Sequence, residues 1–275
     1  MPVFFWCQAQ LASHRASGAA GPLVVGISAP QGCGKSTLCE QLEALFACTG
    51  AAAASVSIDD FYLTHADQAA LAAAHAGNPL LQMRGNAGSH DVALGAATLR
   101  ALRAAGAADA PVPLPRYDKS AHEGQGDRSA AAAWPQVRGP LEVVLLEGWM
   151  LGFAPVGAAA AAAVHPSLPP VDAALGAYRE AWDSQVGSWL VVRVGDPGWA
   201  QAWRLQAERA QRASGRPAMS DAQVAAFVDR FMPAYRCYLP GLYARGPTTA
   251  AAGRVLVVEV DAGREPVAAQ PAAVA

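Results

Sequence analysis

Five short apolar runs mark the chain. They are Leu23–Ser28, a run from about 53 to 58 that ends at Asp59 and Asp60, Leu141–Leu146, Trp189–Val194 and Val255–Val260. Unalternating Val/Leu runs of this length predict strands buried on both faces, as in a parallel sheet. Between the first two, Leu38, Leu42, Leu45 and Phe46 recur at helical spacing over residues 36–49, and Gly50 is a natural stop. After the fourth run, Pro197–Arg209 reads as a further helix. Strands alternating with helices predict an α/β fold, a doubly wound and mostly parallel sheet with helices on both faces. Residues from about 62 to 140 have another texture: polar, dotted with glycine, and rich in His, Arg, Asp and Asn. An insertion of this length in such a sheet is expected to serve function. The alanine tracts at 51–54, 130–133 and 158–163 are expected at the surface and without function.

Composition narrows the function classes. The formal net charge of -2 provides no basic field for nucleic acid. No apolar run approaches the roughly 20 residues that a membrane helix needs. The longest candidate, Leu141–Val164, is broken by Glu142, Glu147 and Pro155. The five cysteines, Cys7, Cys33, Cys39, Cys48 and Cys237, form no CxxC pair and read as reduced thiols. The start, MPVFFWCQAQL, lacks the basic flank and apolar length of a secretory signal and the Arg- and Ser-rich character of a transit peptide. A soluble protein with a small-molecule substrate is expected; oligomeric state is not legible.

The strongest chemical signal is Ala29-Pro30-Gln31-Gly32-Cys33-Gly34-Lys35-Ser36-Thr37, set between the first strand and the first helix. This is the place and pattern of a Walker A loop, with Ala29 where the strict motif has glycine. Backbone N–H groups and the helix N-terminus form a cradle for the phosphates of ATP. Lys35 would lie over the β- and γ-phosphates, and the Ser36 hydroxyl would bind Mg²⁺. Cys33 sits at a helix N-terminus, where thiol pKa values tend to fall, so redox sensitivity is one reading and a small residue fitting the turn is the other. Asp59 and Asp60 end the second strand, and carboxyl ends of strands face the ligand crevice in such folds. Either carboxylate could orient or deprotonate an acceptor hydroxyl, or the pair could simply cap the next element. Glu147 ends the third strand, as a second Mg²⁺-binding acid or as a solvated strand end.

Taken together, these residues resemble the D-glycerate 3-kinases of plants and algae, within the phosphoribulokinase, uridine kinase and pantothenate kinase group of P-loop proteins. The markers span nearly the whole chain: GISAPQGCGKSTL at 26–38, SIDDFYLT at 57–64, RGNAGSHD at 84–91, PRYDKSAHEGQGDR at 115–128, LLEGWMLGF at 145–153, WRLQAE at 203–208 and FMPAYRCYLPGLY at 231–243. Ala29 is itself usual in that family. The resemblance implies a P-loop nucleoside triphosphate hydrolase fold in one domain, with residues 1–21 as an extension, about 62–140 as the acceptor-binding insertion and about 197–218 as a lid. It implies transfer from Mg-ATP to D-glycerate in the recovery of photorespiratory carbon. For a plant or algal source it implies the chloroplast stroma, and otherwise the cytoplasm. It makes Asp59 the catalytic carboxylate, with Asp60 as runner-up, and sets Asp91, His90 and Tyr117 at the acceptor. Arg84, Arg116, Lys119 and Arg128 are the candidate cations for a carboxylate. Arg204 of the lid would neutralise the transferring phosphoryl group, unless it only pairs with Glu208 at i+4. Arg209 cannot share its face, since five residues turn about 140° beyond one full circle. The residues alone leave another small hydroxyl acceptor open, and also a catalytically weak ATP-binding protein of the same fold.

Overall fold

The computed structural model describes residues 2–106, 109–215 and 218–271. In chain order the elements are α1 (Pro2–Ala16), β1 (Leu23–Ser28), α2 (Lys35–Cys48), β2 (Ala53–Ser57), α3 (His65–Ala74) and α4 (Val92–Ala104). Four two-residue strands follow: β3 (Val112–Pro113), β4 (Tyr117–Asp118), β5 (Asp127–Arg128) and β6 (Gln136–Val137). The remainder is β7 (Val143–Gly148), α5 (Ala158–Val164), α6 (Pro169–Ala181), β8 (Ser188–Val194), α7 (Trp199–Ala213), α8 (Asp221–Asp229), α9 (Met232–Arg245), β9 (Val255–Val260) and β10 (Pro266–Pro271).

Six strands form one sheet in the order β10-β9-β8-β1-β7-β2, parallel throughout except for β10. The runs of β1 and β7 are unalternating because both faces are covered, whereas edge strand β2 alternates between buried and half-buried positions. Val24, Val56, Val144, Leu146, Trp189 and Val191 pack under α4, α6 and α9 on one face. Val25, Ile27, Val143, Leu145, Leu190 and Val192 pack under α1 and α2 on the other. Apolar burial on this scale, at about 25 cal/mol per Å², holds the layers together.

The fold differs from the expectation in three places. The opening segment is not merely an extension: Phe4, Cys7 and Leu11 recur along one face of α1 and are buried against α2 and the sheet. The polar insertion contains α4, whose Leu99 and Leu102 are fully buried in the core. The alanine tracts are only in part surface segments. Ala51 and Ala54 are buried at the entry to and within β2, and Ala161 is buried in α5, where a small side chain permits close packing. The tract at 130–133 and the rest of 158–163 are exposed, as expected. Among the described residues no helix is long and apolar enough to cross a membrane.

Parallel register fixes the position of the chemistry. Ile27, Glu147 and Ser57 stand side by side across β1, β7 and β2. The glycine-rich loop leaves β1, Asp59 and Asp60 leave β2, and Glu147 lies between them at one edge of the sheet.

Candidate active site

The glycine-rich loop leaves β1 at Ser28 and enters α2 at Lys35. The unpaired N–H groups of the first turn of α2 therefore face the loop. Gly32 has φ 82°, and a Cβ there would lie 2.8 Å from the Cβ of Trp203 on α7, so close packing of that helix demands glycine. The Arg264 guanidinium donates to the Gly32 carbonyl at 2.7 Å and to Gln206 at 2.8 Å, which ties loop and helix together. Behind the loop, the Gln31 N–H donates to the hydroxyl of buried Tyr235 at 2.9 Å. Lys35 Nζ rests 3.2 Å from the Pro30 carbonyl. Ala29 is buried, and Thr37 is exposed on the first turn of α2. Of the two readings of Cys33, the structure favours a small residue fitting the turn over an activated thiol. Burial pushes its pKa up, Lys35 opposes this only in part, and its S–H donates to the Pro30 carbonyl at 2.9 Å.

The Ser36 hydroxyl donates to Glu147 Oε1 at 3.4 Å. Burial raises the Glu147 pKa against the pull of Lys35. A cleft of about 120 Å³ is lined by these two residues with Ser57, Asp60 and Arg116. One hydroxyl and one carboxylate converging beside a phosphate cradle fit Mg²⁺, which keeps several waters and takes few protein ligands. Among the described residues no group of three or more His, Cys, Asp or Glu is placed to hold a metal by itself. A cation here would therefore depend on the nucleotide.

The two aspartates differ in their surroundings. The Ser57 hydroxyl accepts the Asp59 N–H at 3.3 Å, which starts the short helical turn Ile58–Phe61. Asp59 Oδ2 accepts from Lys119 Nζ at 2.6 Å, and Oδ1 accepts from the Tyr62 hydroxyl at 3.0 Å. Burial works to raise the Asp59 pKa, but the Lys119 charge and hydrogen bond outweigh it and hold the pKa at about 2. Asp60 accepts from the Arg116 guanidinium and from the Tyr117 N–H, each at 3.1 Å. Burial raises its pKa in spite of Arg116. Asp60 thereby pins the 115–118 segment, while Asp59 is held by two side chains, the exposed Lys119 and the buried Tyr62.

The remaining sequence candidates gather around Tyr62, most of them already engaged. Asp91 caps α4 by accepting from the Leu94 N–H at 2.9 Å, and it pairs with Arg128 at 3.0 Å. Arg84 donates to the carbonyls of Gly124, Gln125 and Lys119 and lies 5.4 Å from the centre of the Tyr117 ring. The Tyr117 hydroxyl is buried without a partner among the described residues. His90 is buried with its ring 4.3 Å from that of Tyr62, and burial depresses its pKa to about 3. The Tyr178 hydroxyl accepts the Gly88 N–H at 2.8 Å and meets His90 Nδ1 at 2.9 Å. His90 Nε2 is buried and has no partner among the described residues, a ring nitrogen left for a ligand.

On α7, Arg204 pairs with Glu208 at 2.5 Å and lies 5.2 Å from the centre of the Phe227 ring. Glu208 is buried and also accepts from the Met219 N–H at 2.7 Å, so the pair anchors the segment after α7 rather than decorating a surface. Arg209 pairs outward with Asp221 at 2.7 Å. Of the expected lid, Arg216 and Pro217 lie outside the described residues.

Sequence reasoning missed Tyr178, Tyr235 and Arg264, which hold His90, the phosphate loop and α7. Tyr235 lies within the 231–243 marker and could have been weighed; the others carry no motif of their own.

No family model matches the chain. It is 48% identical over 273 residues to the chloroplastic D-glycerate 3-kinase of Arabidopsis thaliana. That alignment takes in 98% of this chain, which spans 60% of the length of the Arabidopsis protein. It is 36% identical over 228 residues to an uncharacterized kinase of Schizosaccharomyces pombe, covering 79% of this chain and 81% of the relative. The solved structure of a D-glycerate 3-kinase from Cryptococcus neoformans superposes with a TM-score of 0.89 at 34% identity, covering 98% of this chain and 97% of the other. On these similarities, the chain belongs to the D-glycerate 3-kinase family of P-loop kinases.

Proposed function

We propose that this chain transfers the γ-phosphoryl group of ATP to the 3-hydroxyl of D-glycerate. The observation that carries the proposal is the convergence at one sheet edge of a phosphate cradle, a Ser36–Glu147 pair and an ionised Asp59 ringed by cations. The cradle and Lys35 hold the β- and γ-phosphates. Ser36 and Glu147 would hold Mg²⁺, which neutralises charge on the phosphates when bound. Asp59 receives the acceptor hydroxyl and orients it in line with the γ-phosphoryl group. Its low pKa suits orientation better than early proton abstraction, and phosphoryl transfer through a loose transition state asks for little more. His90 Nε2 hydrogen-bonds the acceptor, and the buried aromatic wall of Tyr62 and Tyr117 excludes water. The cations around Asp59, with the name of the Arabidopsis relative, support an acidic acceptor. In a plant or algal source the product returns photorespiratory carbon.

A coupled assay for ADP release with Mg-ATP, alone and with D-glycerate or glycerol, tests this. D-Glycerate should be preferred over glycerol by about 10²-fold or more in kcat/KM, since glycerol lacks the charge that the site attracts. ADP release that ignores D-glycerate refutes the reading.

A further inference from the structure

The cations expected to meet the acceptor's carboxylate are each engaged within the protein. Lys119 is held by Asp59 at 2.6 Å, Arg116 by Asp60 at 3.1 Å and Arg128 by Asp91 at 3.0 Å. Arg84 directs its two terminal nitrogens at three carbonyl groups. One guanidinium beside them is free. Arg230, in the turn between α8 and α9, is half-buried, and among the described residues its side chain has no hydrogen-bond acceptor and no carboxylate. Its recorded neighbour is the Phe227 ring, 5.2 Å from the guanidinium carbon to the ring centre.

Its placement is built into the fold. Asn86, itself buried, donates to the Arg230 carbonyl and to the Leu80 carbonyl, each at 3.1 Å. Gly85 lies against Phe231: a Cβ there would stand 2.4 Å from the ring. Its φ of 141° is likewise suited to glycine. The 84–90 loop and the 230–231 turn are therefore locked together, which brings Arg230 into the electrostatic reach of Arg84. Burial, and next to it the charge of Arg84, lower the Arg230 pKa, while Tyr62 raises it. Arg230 thus lies in the field of Arg84 and of the tyrosine that donates to Asp59. Two neighbouring guanidiniums, one partly desolvated and unpaired, are unfavourable until an anion joins them.

We propose that Arg230 binds the carboxylate of the acceptor as a bidentate fork, with Arg84 contributing charge beside it. The proposal rests on the functional reading above and assigns acid recognition to a residue outside the acceptor insertion. A small hydroxy acid seated this way has one end on Arg230 and its far hydroxyl toward Asp59. Glycerate, with its acid and its primary hydroxyl at opposite ends, suits that arrangement.

Steady-state kinetics on wild type, Arg230→Ala and Arg230→Lys test it, with melting curves to show that each is folded. Asn86 holds the backbone of residue 230, so the Ala variant keeps its anchor. Loss of two charge-assisted bonds should raise KM for D-glycerate roughly 30- to 100-fold in Arg230→Ala, with KM for ATP within about twofold of wild type. The preference for D-glycerate over glycerol should collapse by a similar factor. Arg230→Lys should fall between, and added guanidinium ion should lower KM in the Ala variant alone. If wild type uses D-glycerate and Arg230→Ala keeps its KM, the assignment is wrong while the function stands. A fall in kcat at unchanged KM would put Arg230 on the transferring phosphoryl group and also overturn it. Should the Ala variant not fold, Arg230→Lys with wild-type KM and wild-type preference over glycerol overturns it instead. A wild type indifferent to D-glycerate overturns both readings together.

Discussion

Asp183 provides the sharpest quantitative test of the structure. It lies in the turn between α6 and β8, only 4% exposed, with Oδ1 lacking any partner among the described residues. Burial pushes its carboxyl up to about 7 from an ordinary 3.8, and a Gly152 N–H and the Arg179 charge oppose this only in part. Between those two values the native state keeps a proton that the unfolded chain has released. The folded pKa is the higher one, so the stabilising contribution is complete below about pH 3.8 and is lost as pH rises through about 7. A shift of about three units corresponds to about 4 kcal/mol. Asp183→Asn keeps the shape and removes the titration. Its stability relative to wild type should therefore climb by about 4 kcal/mol from pH 4 to pH 8 and level off above. His90 slopes the other way: its native pKa of about 3 lies below the ordinary 6.5, so its contribution is present above pH 6.5 and is lost as pH falls toward 3. The two slopes offset each other in wild type, but His90 is common to both proteins and cancels in their difference. Urea unfolding at four pH values, with equal m-values as a check on two-state behaviour, measures that difference. A difference independent of pH would mean that Asp183 is ionised and solvated, and the packing around Gly152 would be wrong.

Four further outcomes follow from the site. Lys35→Ala should abolish turnover while leaving the melting temperature near wild type; a folded variant with near-normal activity removes the phosphate-loop assignment. Asp59→Asn should keep KM for ATP and lower kcat by about 10²-fold. If Asp60→Asn is the crippled variant instead, the two aspartates have been assigned the wrong way round. Glu208→Ala removes the acceptor of Met219 and the partner of Arg204, and should cost about 2 kcal/mol in denaturant unfolding. If Arg204 works on the phosphoryl group, Arg204→Ala lowers kcat with both KM values unchanged; wild-type kinetics would leave it as an anchor.

What the sequence reveals follows from how local each signal is. The central parallel strands β1 and β7 are legible because a strand covered on both faces is apolar almost throughout, whereas edge strand β2 alternates through Ser55 and Ser57. The phosphate loop is legible because its cradle is built from consecutive residues. By contrast, β10 contains Pro266 and Pro271 and pairs only as an antiparallel edge, so its strand character comes from β9 and not from its own residues. α1 does carry a stripe of Phe4, Cys7 and Leu11, but tests for a targeting segment do not look for one. The acceptor site is the least legible part. Asp59 and Lys119 are 60 positions apart, and Asn86 meets Arg230 across 144. Composition can nominate a set of cations, but only packing decides which are already paired.

That pairing bears on how the site can work. In the resting protein both oxygens of Asp59 are occupied, one by Tyr62 and one by Lys119. Each oxygen keeps a second lone pair for an acceptor hydroxyl, and a donor that moves off makes room for it. Lys119 is the easier to move, because its side chain is more than half exposed and its ammonium can swing toward incoming negative charge. Tyr62 is buried against His90 and Tyr117 and is held in place. Movement of Lys119 toward the nucleotide would have two effects at once. It would add positive charge near the phosphoryl group, and it would remove the main influence that keeps the Asp59 pKa low. Asp59 would become a better proton acceptor only when both substrates are present. A carboxylate masked in this way has little capacity to activate water in the acceptor's absence, a useful property in an enzyme that must not hydrolyse ATP.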